Sequence, residues 1–163
     1  MKFYNREDEM KLIRQTEERS RSTACFTAIM GRRRVGKTTL LRKALEGKKY
    51  LFVSRTSEVL LCDAFKREIT DTLSIPIYGT PTRFRDLFEL LMQHAASEHF
   101  TLIIDEFQDF DRVNPSIFSD IQNMWDRYSP LAKINFIVCG SIYSLMKHIF
   151  EDHKEPLFGR LTS

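Results

Sequence analysis

Four short runs of nearly continuous apolar residues punctuate the chain: TACFTAIM (23–30), KYLFVS (49–54), FTLIID (100–105) and INFIVCG (134–140). They are rich in Ile, Val and Phe and lack the alternation of a half-exposed strand. The pattern therefore predicts strands buried on both faces of a parallel sheet. Helical periodicity fills the intervals. Asn5 is expected to cap a first helix whose opening turn holds Arg6, Glu7 and Asp8. A helix over 37–46 should stop at Gly47, and Ser57 should open a long amphipathic one over 57–73. After Pro81, Phe84, Leu87, Phe88 and Leu91 recur at i, i+3, i+4 and i+7. Asn114 and Pro115 mark another start, with Ile117, Ile121, Met124, Trp125 and Tyr128 on one face. A last helix is expected from near Ser141 to about Phe150.

Alternating strands and helices predict right-handed βαβ units and an α/β fold, a three-layer αβα sandwich around a mainly parallel sheet. The aromatic and Met positions, lone Trp125 included, are assigned to the core. The 163 residues fit a single domain, and 42% hydrophobic content can supply its interior. A net charge of +3 admits anionic ligands without demanding nucleic acid. Cys25, Cys62 and Cys139 are scattered through apolar runs with no CxxC pair, which argues for buried thiols in a reducing compartment rather than a disulfide framework or zinc site. The opening MKFYNREDEMKLIRQTEERSRS has no apolar signal core, and no apolar stretch approaches membrane length. A soluble, cytoplasmic protein without a membrane partner is expected.

Chemistry concentrates at the ends of the strands. Gly31-Arg32-Arg33-Arg34-Val35-Gly36-Lys37-Thr38 spells GxxxxGK followed by Thr, between a predicted strand and a predicted helix. A polyphosphate lying against unpaired N–H groups at a helix N-terminus requires this pattern. Gly31 and Gly36 let the backbone approach without a Cβ clash. Lys37 brings a point charge to the β- and γ-phosphates, and the Thr38 hydroxyl suits Mg²⁺. The whole turn from Gly31 through Arg32, Arg33, Arg34, Val35, Gly36, Lys37 and Thr38 to Thr39 is thus the candidate nucleotide-binding segment. The three arginine side chains could brush phosphates, meet a neighbouring subunit or later domain, or be solvated. The last two are favoured, because amides and Lys37 already occupy the phosphates.

TLIIDEFQDF places Asp105 and Glu106 at the C-terminal end of an apolar run, where α/β sheets bind ligands. Asp105 suits contact with Mg²⁺, and Glu106 suits orienting and deprotonating the water that attacks a γ-phosphate. IVCGSIYSLM repeats the arrangement, with Ser141 able to hold water or phosphate, or simply to cap the next helix.

Together these features resemble the additional-strand P-loop ATPases, with Walker A at 31–38, Walker B at 101–106 and a sensor-like residue at 141. More narrowly, FYNREDEMKLI, MGRRRVGKTTLL, LIIDEFQ, CGS and PLFGR resemble, in order, the archaeal-type ATPase family related to AAA+ and STAND proteins. The resemblance implies ATP and Mg²⁺ as cofactors and a strand order of 5-1-4-3-2, with the acidic strand beside the glycine-loop strand. It implies that Phe3, Tyr4, Asn5 and Arg6 lie near adenine and that Thr38 and Asp105 hold the metal. Glu106, Lys37, Ser141 and Arg160 of the GR motif become the candidate catalytic residues, Arg160 acting in cis or on a neighbouring subunit. It also implies that residues 1–163 form the ATPase core alone. The fifth strand, helical lid and C-terminal domain would be missing, turnover weak and the first strand an exposed edge. ATP, an attached domain or protein partner and a second copy are the expected partners.

Rival readings fare worse. DEFQD also resembles superfamily-1 helicases, but those insert a large subdomain where only 68 residues separate Lys37 from Asp105. A GTPase would need an NKxD motif, which the chain lacks. A nucleotide-gated switch with little turnover remains open, as does a fragment of a DNA-acting motor. Lys48, Lys49, Arg19 and Arg21 could form a basic surface, yet no helix-turn-helix signature accompanies them.

Overall fold

The computed structural model describes residues 6–30, 49–54, 56–73 and 76–162. Within them the elements are α1 (Arg6–Arg19), β1 (Cys25–Met30), β2 (Lys49–Phe52), α2 (Glu58–Leu73), α3 (Phe84–Ala95), β3 (Phe100–Asp105), a 3₁₀ turn (Phe107–Asp109), α4 (Phe110–Val113), α5 (Ser116–Tyr128), β4 (Ile134–Gly140) and α6 (Tyr143–Glu151). The predicted 37–46 helix, Gly47 and the Asn5 cap lie outside the described residues. The 3₁₀ turn and α4 have no sequence counterpart, since one helical turn carries no period to detect.

All four strands run parallel in the order β1-β4-β3-β2. This is the 1-4-3-2 portion of the expected order. The accompanying expectation that the acidic strand lies beside the glycine-loop strand is wrong: β4 stands between β1 and β3, which is what that order itself requires. Among the described residues β1 occupies one edge. At its start the Thr162 N–H donates to the Phe26 carbonyl at 2.8 Å, while the Phe26 N–H donates to Thr162 Oγ1 at 2.8 Å.

Side-chain alternation divides the sheet into two faces. Phe26, Phe100, Leu102, Ile104, Ile134, Phe136 and Val138 face the large core, with the buried sides of α2, α3, α5 and α6. Phe26 lies at its centre, 4.5 Å from Phe136 and 5.1 Å from Trp125 between ring centroids. Ile103, Ile137 and Cys139 face the other way, against Ile13 of α1. That second face is held by polar contacts too: Glu17 Oε2 of α1 accepts from Thr101 Oγ1 at 2.5 Å and Asn135 Nδ2 at 2.6 Å. The core assignment of Phe84, Leu87, Phe88, Leu91, Ile117, Ile121, Met124 and Trp125 is borne out, with Tyr128 half-buried.

Helix starts follow the local chemistry. Ser57 caps α2, its Oγ accepting the Leu60 N–H at 3.3 Å. Just before α5, Asn114 Oδ1 accepts the Ser116 N–H at 3.1 Å, and Pro115 stands at the N-cap position. Glu58 joins three helices: Oε2 accepts the Phe84 N–H that opens α3, and Oε1 accepts Asn114 Nδ2, both at 3.0 Å.

All three cysteines are buried free thiols. Burial, aided by the charges of Glu58 and Asp86, pushes the Cys62 thiol up to about 12. Among the described residues no helix is long and apolar enough to cross a membrane.

Candidate active site

Three strand ends meet at one level. β3 and β4 are in register through Ile104 and Val138, and Met30, the last residue of β1, pairs with Gly140, the last of β4. β2 stays attached to the end of β3 through a 3.0 Å bond from the Val53 N–H to the Asp105 carbonyl. Directly beyond, Glu106 adopts a left-handed backbone (φ 54°, ψ 42°), a conformation that costs a non-glycine residue about 1 kcal/mol or more.

Several contacts enforce that turn. The Glu106 N–H donates to Asp105 Oδ1 at 2.8 Å, and the Asp109 N–H donates to the Glu106 carbonyl at 2.9 Å, which starts the 3₁₀ turn. Phe107 then anchors the turn in the core, stacked on Phe150 at 5.8 Å and edge-on to Phe110 at 5.5 Å. The packing energy of that aromatic cluster offsets the backbone strain.

Glu106 is only 2% exposed. Burying a carboxylate without donors is costly, and donors among the described residues reach it. Gln108 Nε2 and Ser141 Oγ donate to the same oxygen, Oε2, at 2.6 Å and 2.8 Å. Ser141 therefore uses its hydroxyl across the sheet rather than as a helix cap, and α6 begins only at Tyr143, after Ile142, with no side-chain cap.

Asp105, Gln108 and Asp109 are buried alongside. Two adjacent carboxylates at a strand end supply hard oxygen donors, which suit Mg²⁺ rather than a softer ion. The donor set thus fits the metal expected beside Asp105.

The other candidates divide clearly. Gly31, Arg32, Arg33, Arg34, Val35, Gly36, Lys37, Thr38 and Thr39 lie outside the described residues, as do Phe3, Tyr4 and Asn5. Arg6 opens α1, its side chain likewise outside. Asp105, Glu106 and Ser141 come together. Arg160 does not join them: its Nε and Nη2 grip Asp126 Oδ1 and Oδ2 of α5 at 3.0 and 2.8 Å, which pushes the guanidinium further up in pKa. Two residues later Thr162 is level with Phe26, four residues before Met30 and so about 13 Å back along β1.

Two residues of the site were given no role by sequence reasoning, Gln108 and the bare Cα of Gly140. Gln108 stands within TLIIDEFQDF and Gly140 within IVCGSIYSLM, with no spacing that assigns either a role.

Residues 3–162 match a family described as the ATPase domain predominantly from Archaea. Among curated proteins, the uncharacterised protein MJECL04 of Methanocaldococcus jannaschii is 29% identical over 160 residues, covering 98% of this chain and 34% of that protein. The fold is similar to a Walker-type ATPase of Pyrococcus abyssi, with a TM-score of 0.65 and 19% identity over 96% of this chain and 51% of that one. It is also similar to Cdc6p from Pyrobaculum aerophilum, at 0.64 and 18% over 98% of this chain and 45% of the other. At these identities the structural likeness is one of fold. The chain spans about a third of the curated relative and about half of each solved structure.

Proposed function

The chain belongs to this archaeal family of ATPase domains, and from that membership we propose that it binds ATP with Mg²⁺ and hydrolyses it to drive or switch an attached domain or partner. The observation that carries the reading is Glu106, a buried carboxylate at the end of a central strand, oriented by donors from two chain segments. Such a group is what activating a water requires.

In this reading Gly31 to Thr39 cradle the phosphates, with Lys37 on the β- and γ-phosphates. Thr38 and Asp105 hold Mg²⁺, which neutralises charge developing on the phosphates. Glu106 takes the proton of the attacking water, and Ser141 couples its carboxylate to the end of β4. Phe3, Tyr4, Asn5 and Arg6 line the adenine side. The position of Arg160 near the start of β1 argues against a contact with its own chain's phosphates and for one with a neighbouring copy.

Single-turnover hydrolysis by the protein and by Glu106→Gln tests the proposal. A fall of about 100-fold or more is expected for loss of a general base. A wild-type rate no faster than the variant's would instead make the chain a nucleotide-gated switch.

A further inference from the structure

Gln108 is 1% exposed, and the two ends of its side-chain amide are treated very differently. Nε2 donates to Glu106 Oε2 at 2.6 Å. Oε1 has no hydrogen-bond partner among the described residues. Burying an amide oxygen without a donor is unfavourable, so packing alone would be served better by an apolar side chain of similar length. The atom that recommends glutamine at this position is the one on Glu106.

The surroundings are shaped to bring that atom in. A Cβ on Gly140 would stand 2.7 Å from Gln108 Oε1 and 2.4 Å from both Cγ and Sδ of Met146. The bare Cα at the end of β4 leaves the room that the amide and Met146 take up beside it. Gln108 approaches from the 3₁₀ turn and Ser141 from the end of β4, so two donors on separate chain segments meet at one oxygen. One donor would fix the position of the carboxylate oxygen while leaving the group free to twist about it; two fix the twist as well.

We propose that Gln108, seated against Gly140, is a positioning residue for hydrolysis: its amide N–H locks the orientation of the Glu106 carboxylate towards the attacking water. The inference rests on the reading of Glu106 as the base. A base held within a narrow range of angles is in reactive geometry for a larger share of the time, and this affects the chemical step without touching nucleotide affinity.

A double-mutant cycle tests it, using ATP·Mg²⁺ affinity by calorimetry and single-turnover hydrolysis of the purified protein. Gln108→Met keeps length and volume and removes the donor. It should slow hydrolysis by about tenfold or more while affinity stays within about twofold. In a Glu106→Gln background the same change should have no effect, because there is no carboxylate left to orient. Gln108→Leu, which likewise lacks the donor and carries no charge, provides a second cycle should Gln108→Met fail to fold by circular dichroism. Equal slowing in both backgrounds, or a wild-type rate for Gln108→Met, would overturn the proposal. Full hydrolysis by Glu106→Gln alone would instead remove the reading beneath it.

Discussion

Gly140 and Gln108 leave each other no spare room, since 2.7 Å separates the Gln108 Oε1 from the place a Cβ on Gly140 would take. Buried Met146 crowds the same point at 2.4 Å. Gly140→Ala is therefore expected to destabilise the protein by about 1–3 kcal/mol, as overpacking does. Urea unfolding would show this as a lower midpoint at unchanged slope. Turnover should fall further than the folded fraction does, because Gln108 must move away from Glu106. An unchanged midpoint would contradict the packing argument.

Glu17 fastens α1 to the sheet. Its Oε2 accepts from Thr101 and Asn135, and Asn135 is fully buried. Glu17→Ala removes the acceptor and leaves both donors behind, a cost of about 1–3 kcal/mol. Urea denaturation measures it. A variant as stable as the parent would show that α1 is held by Ile13 and its apolar neighbours alone.

His99 should make stability depend on pH. Its Nε2 lies 2.8 Å from Ser20 Oγ, and burial lowers its pKa below the ordinary 6.5, opposed by the Glu17 charge. The unfolded chain thus takes up a proton that the folded protein still refuses. Stability is expected to fall as pH drops through 6.5 towards the folded value, and to be fully present above it. Melting temperatures across about pH 5 to 7.5 for the protein and His99→Gln would read this, since the variant should lose that part of the slope. Identical slopes would contradict it.

How far was this legible in the sequence? The strands were, because strands buried on both sheet faces are mostly apolar, and runs such as 134–140, with Asn135 the one polar side chain, read that way. The last helix was legible to within two residues, but the use of the Ser141 hydroxyl was not, because it can hydrogen-bond locally or across the sheet and its partner lies 35 residues away. Glu17 was silent for the same reason, with partners 84 and 118 residues distant. The place of Asp105 and Glu106 at the end of β3 could be read from the apolar run before them. The support from Gln108 could not, since it depends on a left-handed turn at Glu106 that no periodicity announces.

Arg160 offers a test of assembly. Its fork-to-fork pair with Asp126 is partly exposed, so breaking it by Arg160→Ala should cost no more than about 1 kcal/mol. If the arginine serves a neighbouring copy, mixing Arg160→Ala with Glu106→Gln should regain turnover, because mixed pairs contain one complete site. A steady-state assay of the mixture against each variant decides, and no regain would contradict service in trans.

Calorimetric titration with ATP·Mg²⁺, comparing the protein with Lys37→Ala, reaches furthest into the account. Saturable one-to-one binding by the protein and none by the variant is the expected outcome. Undiminished affinity in Lys37→Ala would mean that the nucleotide does not sit on the segment from Gly31 to Thr39.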